Sequence, residues 1–385
     1  MSKKRILLYT RPITPPWDEA SKNLAYDIAT NISKNQFRVS LLTPQKSAFN
    51  QKLVKEYPHI KPEEIYRSAN LDFKEKFQLL SRLFRPKLKT DLIHFLFTPR
   101  SITSFLIRLR LRFSKVKTLQ TVATLSKKNL ESTRKLNKIL FADLIIVQSK
   151  NTFRQLKDKS IQKIKLIYPG INFKKYKPTQ KDPGTLKKLK LKKTDFVVLY
   201  TGEYTRLKAT DDILEALRIL FKNYPNVDNL KLIFACRIKS KKDRVKKTAV
   251  IKTLKKESLF SKVIFLDVFD PMEKLYNLSD LNIFPVREMA GKFDIPLTLV
   301  ESMACGKPII VSRLRNLKEL VGNNVRGLTC KKECPRDLAQ KIHLLKTDKK
   351  LYNKIAESAL IFVKSNFDIK EKAQEYNNIY KDLTK

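Results

Sequence analysis

Short apolar segments alternate with amphipathic helical patterns along the whole of this chain, and that alternation restricts its fold more than any other feature. Strand-like runs stand at RILLYT, FRVSLLT, DLIHFLF, LIIVQS and KLIYPG, then at FVVLYTG, LKLIFAC, KVIFLDV, LNIFPV and KPIIVS. Between them, SKNLAYDIATNISK puts Leu24, Ala25, Ile28 and Ile32 on one helical face, and TDDILEALRILFKNY does so with Ile213, Leu214, Leu217 and Phe221. Strands separated by helices predict parallel sheets covered on both faces. The 385 residues exceed what one core usually serves. Two such sets flank the lysine-rich FKKYKPTQKDPGTLKKLKLKK, which predicts two doubly wound domains, 1–178 and 179–367, joined near residues 175 to 190. The closing FDIKEKAQEYNNIYKDLTK reads as an amphipathic helix.

Composition bounds the function. With 42% hydrophobic and 31% charged residues the chain reads as soluble and globular, and no stretch approaches the roughly 18 apolar residues of a membrane span. The opening MSKKRILLYT has a short apolar run and no small-residue cleavage site, so it reads as a first strand. Four cysteines are too few for a disulfide framework at this length, and a cytoplasmic, reducing setting is expected. Cys330 and Cys334, with only His343 nearby, fall short of a structural metal site, so no metal is expected.

Charge is the outlying quantity. Lys and Arg total 81 against 37 for Asp and Glu, a formal +44. That surplus points to a polyanionic neighbour such as nucleic acid or an anionic membrane face, or to a general lysine bias of composition. A nucleic-acid role has no reading motif to support it, so no specific nucleic-acid partner is expected.

Glycine is scarce. There are 7, and none precedes Gly170, which removes the GxGxxG fingerprint and the Walker A loop from the first half. Gly202 follows the strand FVVLY, where a loop at the carboxyl end of an open sheet meets ligands. The loop continues as EYTRLKATDD, in which Arg206 and Lys208 precede a helix that Thr210 or Asp211 is placed to cap. Such cations suit phosphate oxygens; a solvated turn is the alternative. Further on, LTLVESMAC reads as a helix closed by Gly306 and Pro308, with Glu301 in its first turns. That acid either complements the helix terminus or accepts paired ribose hydroxyls.

These residues carry a family resemblance. FDIPLTLVESMACGKPIIVSRLRNLKELVGNNVRGL resembles the donor-binding segment of group 1 (family 4) retaining glycosyltransferases of the GT-B fold, and FVVLYTGEYTRLKATDDILEAL resembles their phosphate loop. LIYPGINFKKYKP, KVIFLDVFDPMEKLYNLSDLNIFPV and the closing helix are similar to further family segments. The resemblance implies two Rossmann-like domains facing a cleft, with helix 368–385 crossing back to the acceptor-side first domain. It implies that Glu301 binds the ribose of a nucleotide diphosphate sugar, that Gly202, Arg206 and Lys208 hold the diphosphate, and that amides around Leu297, Thr298 and Leu299 take further oxygens. Lys208 thereby also serves the departing diphosphate, and neither a cofactor nor a metal enters.

Departures accompany it. Phe293 stands where the family has a second Glu and Pro296 where glycine is common, leaving Asp294 as the nearest catalytic substitute and Glu288 as a remoter one. Glu203 replaces the usual Arg after the loop glycine. The family's T-x-H is TVA at Thr121 to Ala123, so His94 is either the surviving cleft histidine or a packed one. Asp18 and Glu19 replace acceptor-loop glycines.

The implied reaction is transfer of a glycosyl unit with retention. FKEKFQLLSRLFRPKLK and RSITSFLIRLRLRFSKVK interleave cations with apolar residues, Ile102, Phe105, Leu106, Leu109 and Phe113 sharing one face. They suggest a glycan or lipid-linked acceptor and peripheral docking on an anionic, cytoplasmic membrane face, with packing of these faces on the sheet as the alternative. An epimerase, a hydrolase or a non-transferring sugar-nucleotide binder would use the same fold.

Overall fold

The computed structural model of the chain describes residues 2–17, 19–85, 88–97, 100–289 and 291–385. Two compact units emerge: Met1–Asn172 with Phe367–Lys385, and Phe173–Asn366.

The first unit holds a parallel sheet of β1 (Lys4–Tyr9), β2 (Phe37–Pro44), β3 (Ile60–Tyr66), β4 (Leu92–Leu96), β5 (Lys117–Val122), β6 (Leu144–Val147) and β7 (Ile164–Leu166). Their spatial order is β3-β2-β1-β4-β5-β6-β7. Leu7 and Tyr9 of β1 and Ile93 and Phe95 of β4 are buried on one face of the sheet, where helices Phe73–Leu83 and Ser101–Leu111 pack through Leu83 and Ile107.

β3 and β5 escape the apolar-run criterion for physical reasons. β3 is an edge strand, IKPEEIY, and an edge tolerates Pro62 and charged side chains. β5 is interior but polar, and its polar groups are paired. Gln120 Nε2 donates to the Ile139 carbonyl (3.2 Å), its Oε1 accepts from the Phe141 amide (3.2 Å), and the Thr118 hydroxyl bonds Asp143 (2.8 Å).

The closing helix Ile369–Leu383 covers this sheet. His94 Nδ1 bonds the Tyr380 hydroxyl and Nε2 bonds the Thr121 hydroxyl, both at 2.7 Å, and Thr121 meets Tyr376 at 3.2 Å. The helix is reached through a close approach at Gly170, where a Cβ would lie 2.7 Å from the Ile369 Cα. The Ile171 amide donates to the Phe367 carbonyl (2.8 Å) and the Ile369 amide to the Ile171 carbonyl (3.1 Å), clamping the segment down.

The second unit repeats the architecture with β8 (Phe196–Gly202), β9 (Leu230–Cys236), β10 (Val263–Leu266), β11 (Leu281–Phe284), β12 (Ile309–Ser312) and β13 (Leu328–Cys330), all parallel, in the order β10-β9-β8-β11-β12-β13. Only three residues long and at the edge, β13 gives no apolar run to read. The chain runs outward from β8 through β9 to β10, then returns to place β11 against the other side of β8, with Leu281 opposite Val198 and Ile283 opposite Tyr200. The order therefore reverses between β8 and β11, the position at which an open α/β sheet leaves a crevice at its strands' carboxyl ends.

Burial pushes the His94 imidazole down to about 3. Between that value and the ordinary one near 6.5 the unfolded chain binds a proton that the folded chain refuses, so stability is complete above about pH 6.5 and falls as pH drops. We expect urea denaturation to lose about 1.4 kcal/mol per pH unit from this group between pH 6 and 4, a component that His94→Gln removes. An unchanged slope in that variant refutes the assignment.

Candidate functional site

The loop after β8 is built to hold one shape. A methyl on Gly202 would run into the Tyr200 ring, whose hydroxyl donates to the Glu203 carbonyl at 3.3 Å. The Thr210 hydroxyl donates to the Tyr204 carbonyl (2.8 Å) and the Thr205 hydroxyl to Asp243 Oδ1 (2.6 Å). Thr210 thus secures the loop rather than capping the helix: Thr210–Asn223 has Ala209 at its N-cap and no side-chain cap. The Arg287 amide, from the loop after β11, donates to the Leu207 carbonyl (3.1 Å), and its guanidinium grips both oxygens of buried Asp212 (3.0 and 2.8 Å). The two loops at the reversal point are stitched together.

Helix Leu297–Ala304 follows the second of these loops. Its apolar and small residues pack throughout, and Gly306, at φ 73°, ends it. Pro296 is the N-cap, with no side-chain cap and no acid in the first turn. The Leu299 and Val300 amides turn back to the Pro296 carbonyl, so the helix opens on Leu297 and Thr298 with its positive end uncompensated. Glu301 lies in the second turn, 7% exposed, and accepts from the Tyr276 hydroxyl at 2.8 Å. Burial raises its carboxyl above the usual range, while Tyr276, Lys175 and Tyr176 oppose the rise. An acid held this way is a strong acceptor for hydroxyl donors.

The second buried acid is Glu203. Arg206 Nε lies 2.6 Å from its Oε2, and Lys239 and Lys292 approach its Oε1 at 3.5 and 3.4 Å. Burial alone would raise Glu203; Lys292, Arg206 and Lys239 outweigh it and hold the carboxyl below the usual range. Lys208, in the left-handed region at φ 54°, reaches outward to Glu288 at 3.2 Å with its side chain 60% exposed.

The other residues singled out in the sequence are placed as follows. Asp294 is buried in the loop leading into the 297–304 helix, and Phe293 beside it is half-buried. Glu19 precedes helix Ala20–Asn31 and pairs with Arg11. Asp18 lies outside the described residues. His94 is wholly buried with both ring nitrogens engaged, which places it on the packing side of the alternative. Lys239, Lys292, Tyr276 and Tyr176 escaped sequence reasoning because cations abound in this chain and each belongs to a different loop or helix from the motif it serves. Among the described residues no group of three His, Cys, Asp or Glu side chains is arranged to hold a metal.

A family model described as Glycosyl transferases group 1 matches residues 183–360. The D-inositol 3-phosphate glycosyltransferase of Thermobispora bispora is 25% identical over 190 residues, 49% of this chain and 43% of that protein. The N-acetyl-alpha-D-glucosaminyl L-malate synthase of Bacillus anthracis is 25% identical over 222 residues, 57% of this chain and 54% of that protein. The chain thus spans about half the length of these curated relatives. Among solved structures, HepE of Anabaena in complex with UDP and glucose matches with a TM-score of 0.75 over 99% of this chain and 100% of that one, at 18% identity, a likeness of fold. Nearly the whole second unit thus lies inside the range that is similar to the group 1 glycosyl transferases, and the chain shares the GT-B fold with such neighbours.

Proposed function

We propose that the chain transfers a glycosyl unit from a nucleotide diphosphate sugar to an acceptor, with retention at the anomeric carbon and without a metal or cofactor. The observation that carries the reading is the uncapped helix Leu297–Ala304, entered from the loop stitched to the Arg206–Lys208 loop and carrying buried Glu301 one turn inside. The family match over this unit and a structural neighbour in complex with UDP and glucose support it.

In this reading Glu301 accepts the ribose hydroxyls, and the amides of Leu297 and Thr298 face phosphate oxygens, which favour a helix amino terminus, whereas the Leu299 amide is already taken by the Pro296 carbonyl. Arg206 and Lys208, at the turn held open by Gly202, neutralise the diphosphate as it leaves with the electron pair of the broken glycosidic bond. Asp294 is the acid available to the transferred sugar's hydroxyls, and Glu19 is an acceptor-side candidate. His94 has no nitrogen to spare and is left out.

The acceptor we propose is a glycan on a lipid carrier, reached from an anionic membrane surface. Helix Ser101–Leu111 turns Ile107 inward and leaves Ile102 77% and Phe105 63% exposed, with Phe113, just past the helix end, 90% exposed. Helix Phe73–Leu83 does the same with Phe73 at 84% and Phe77 at 67%. The Arg110 guanidinium donates to the Arg85 carbonyl at 2.9 Å, which ties the end of helix Ser101–Leu111 to the turn after helix Phe73–Leu83. Exposed apolar area of this kind marks an interaction site, and surrounding cations select anionic headgroups. No helix among the described residues is long and apolar enough to cross a membrane.

Two outcomes are expected. Glu301→Ala and Lys208→Ala lower kcat/KM by about a hundredfold or more with an unchanged circular dichroism spectrum, the effect of removing one preorganised contact; near-normal turnover in either removes that residue from the site, and consumption of donor without acceptor favours a hydrolase or epimerase instead. The protein floats with vesicles containing phosphatidylglycerol and not with neutral ones, and Phe105→Ser/Phe113→Ser lowers the bound fraction severalfold; equal behaviour on both vesicle types retires the membrane reading.

A further inference from the structure

Three side chains from three separate loops converge on one carboxylate oxygen. Arg206 comes from the loop after β8, Lys239 from that after β9 and Lys292 from that after β11, and their nitrogens stand 2.9, 3.5 and 3.4 Å from Glu203 Oε1. The exposure of the four side chains is uneven. Glu203 is 4% exposed, whereas Arg206, Lys239 and Lys292 keep 39, 37 and 24%. The carboxylate therefore lies beneath and the cations present their outer sides to the carboxyl edge of the sheet, the position at which an open α/β sheet meets its ligand. Three cations gathered on one carboxylate in a partly desolvated place form an arrangement that suits a multiply charged anion. The strain shows on Lys292, which burial first, and then Arg206 and Lys239 against the pull of Glu203, bring down to about 8. Lys239 is lowered as well, by burial and by neighbouring Arg237.

We propose that Lys239 and Lys292 complete, with Arg206, a clamp for the diphosphate of the nucleotide-linked donor, and that Glu203 is the positioning residue that gathers the three cations from below. The proposal rests on the donor reading given above and adds to it. The acid at position 203, where the family resemblance leads one to expect a cation, does not weaken the phosphate loop: it recruits two cations from neighbouring loops. A diphosphate spreads its charge over two phosphoryl groups, so cations from three directions favour it over a monophosphate, and over a bare nucleoside more strongly still.

The test is calorimetric titration of the full chain with UDP, GDP and ADP, then with the monophosphate and the nucleoside of whichever base binds. In the wild type the diphosphate binds tightest. Lys239→Met and Lys292→Met each weaken diphosphate binding by about tenfold and leave the nucleoside unaffected, as expected for the loss of one charge-assisted contact. Diphosphate affinity in the wild type falls as pH rises through about 8, because binding favours the charged form of Lys292, and this pH dependence is absent in Lys292→Met. The double variant Glu203→Gln/Lys292→Met separates clamp from counterion: it removes acid and cation together, so the fold keeps its melting temperature while binding stays weak.

If the lysines serve only to neutralise Glu203, the double variant binds the diphosphate as the wild type does, and the proposal is overturned. Nucleoside diphosphate binding that depends on Glu301 but is indifferent to both lysine variants overturns the clamp and leaves the donor reading standing. Absence of nucleotide binding to the wild type overturns both.

Discussion

The pairing of β8 with β9 on one side and β11 on the other is the constraint on which the second unit's site depends. A parallel sheet whose order reverses beside its first strand leaves a crevice at the carboxyl ends of the strands. Here that gap is bounded by a loop that Gly202 admits, that Thr205 and Thr210 fasten, and that Arg287 ties to the following βα connection. The helix Leu297–Ala304 begins where this second connection ends, so its amino terminus inherits its position from the same reversal.

Two buried acids in this region are treated in opposite ways by their surroundings. Cations ring Glu203 and hold its carboxyl below the ordinary range, so it remains an anion whose work is to orient positive side chains. Glu301 is held above the range by burial, with tyrosine hydroxyls as its close partners and Lys175 farther off in influence. An acid of the first kind shapes an electrostatic field; one of the second kind awaits neutral hydroxyl donors.

Most of the fold was legible because the apolar runs RILLYT, FRVSLLT, DLIHFLF and FVVLYTG are interior strands, where burial on both faces demands continuous hydrophobicity. β3, β5 and β13 were not, since an edge position, paired polar side chains and brevity each remove that demand. Of the candidate site, the helix bearing Glu301 and the loop bearing Arg206 and Lys208 could be read as elements from local motif, because helix and loop carry their own punctuation. Lys239 and Lys292 could not: in a chain with 81 Lys and Arg residues a single lysine carries no signal until the sheet order brings three loops together. The stripe over 101–113 was read as one helical face; the helix in fact ends at Leu111, and Phe113 projects from the turn beyond it.

The last helix has a consequence for synthesis. Tyr376 and Tyr380 supply hydroxyl partners to the His94 and Thr121 cluster of the first unit, yet both residues are translated only after the whole of the second unit. As the chain leaves the ribosome, β4 and β5 are therefore complete long before their polar interior can be satisfied, whereas the second unit is contiguous and has all its parts in hand first. The first unit to be made is the last to close, and in the interval its uncovered face is the surface for which a chaperone, or a neighbouring nascent chain, would compete.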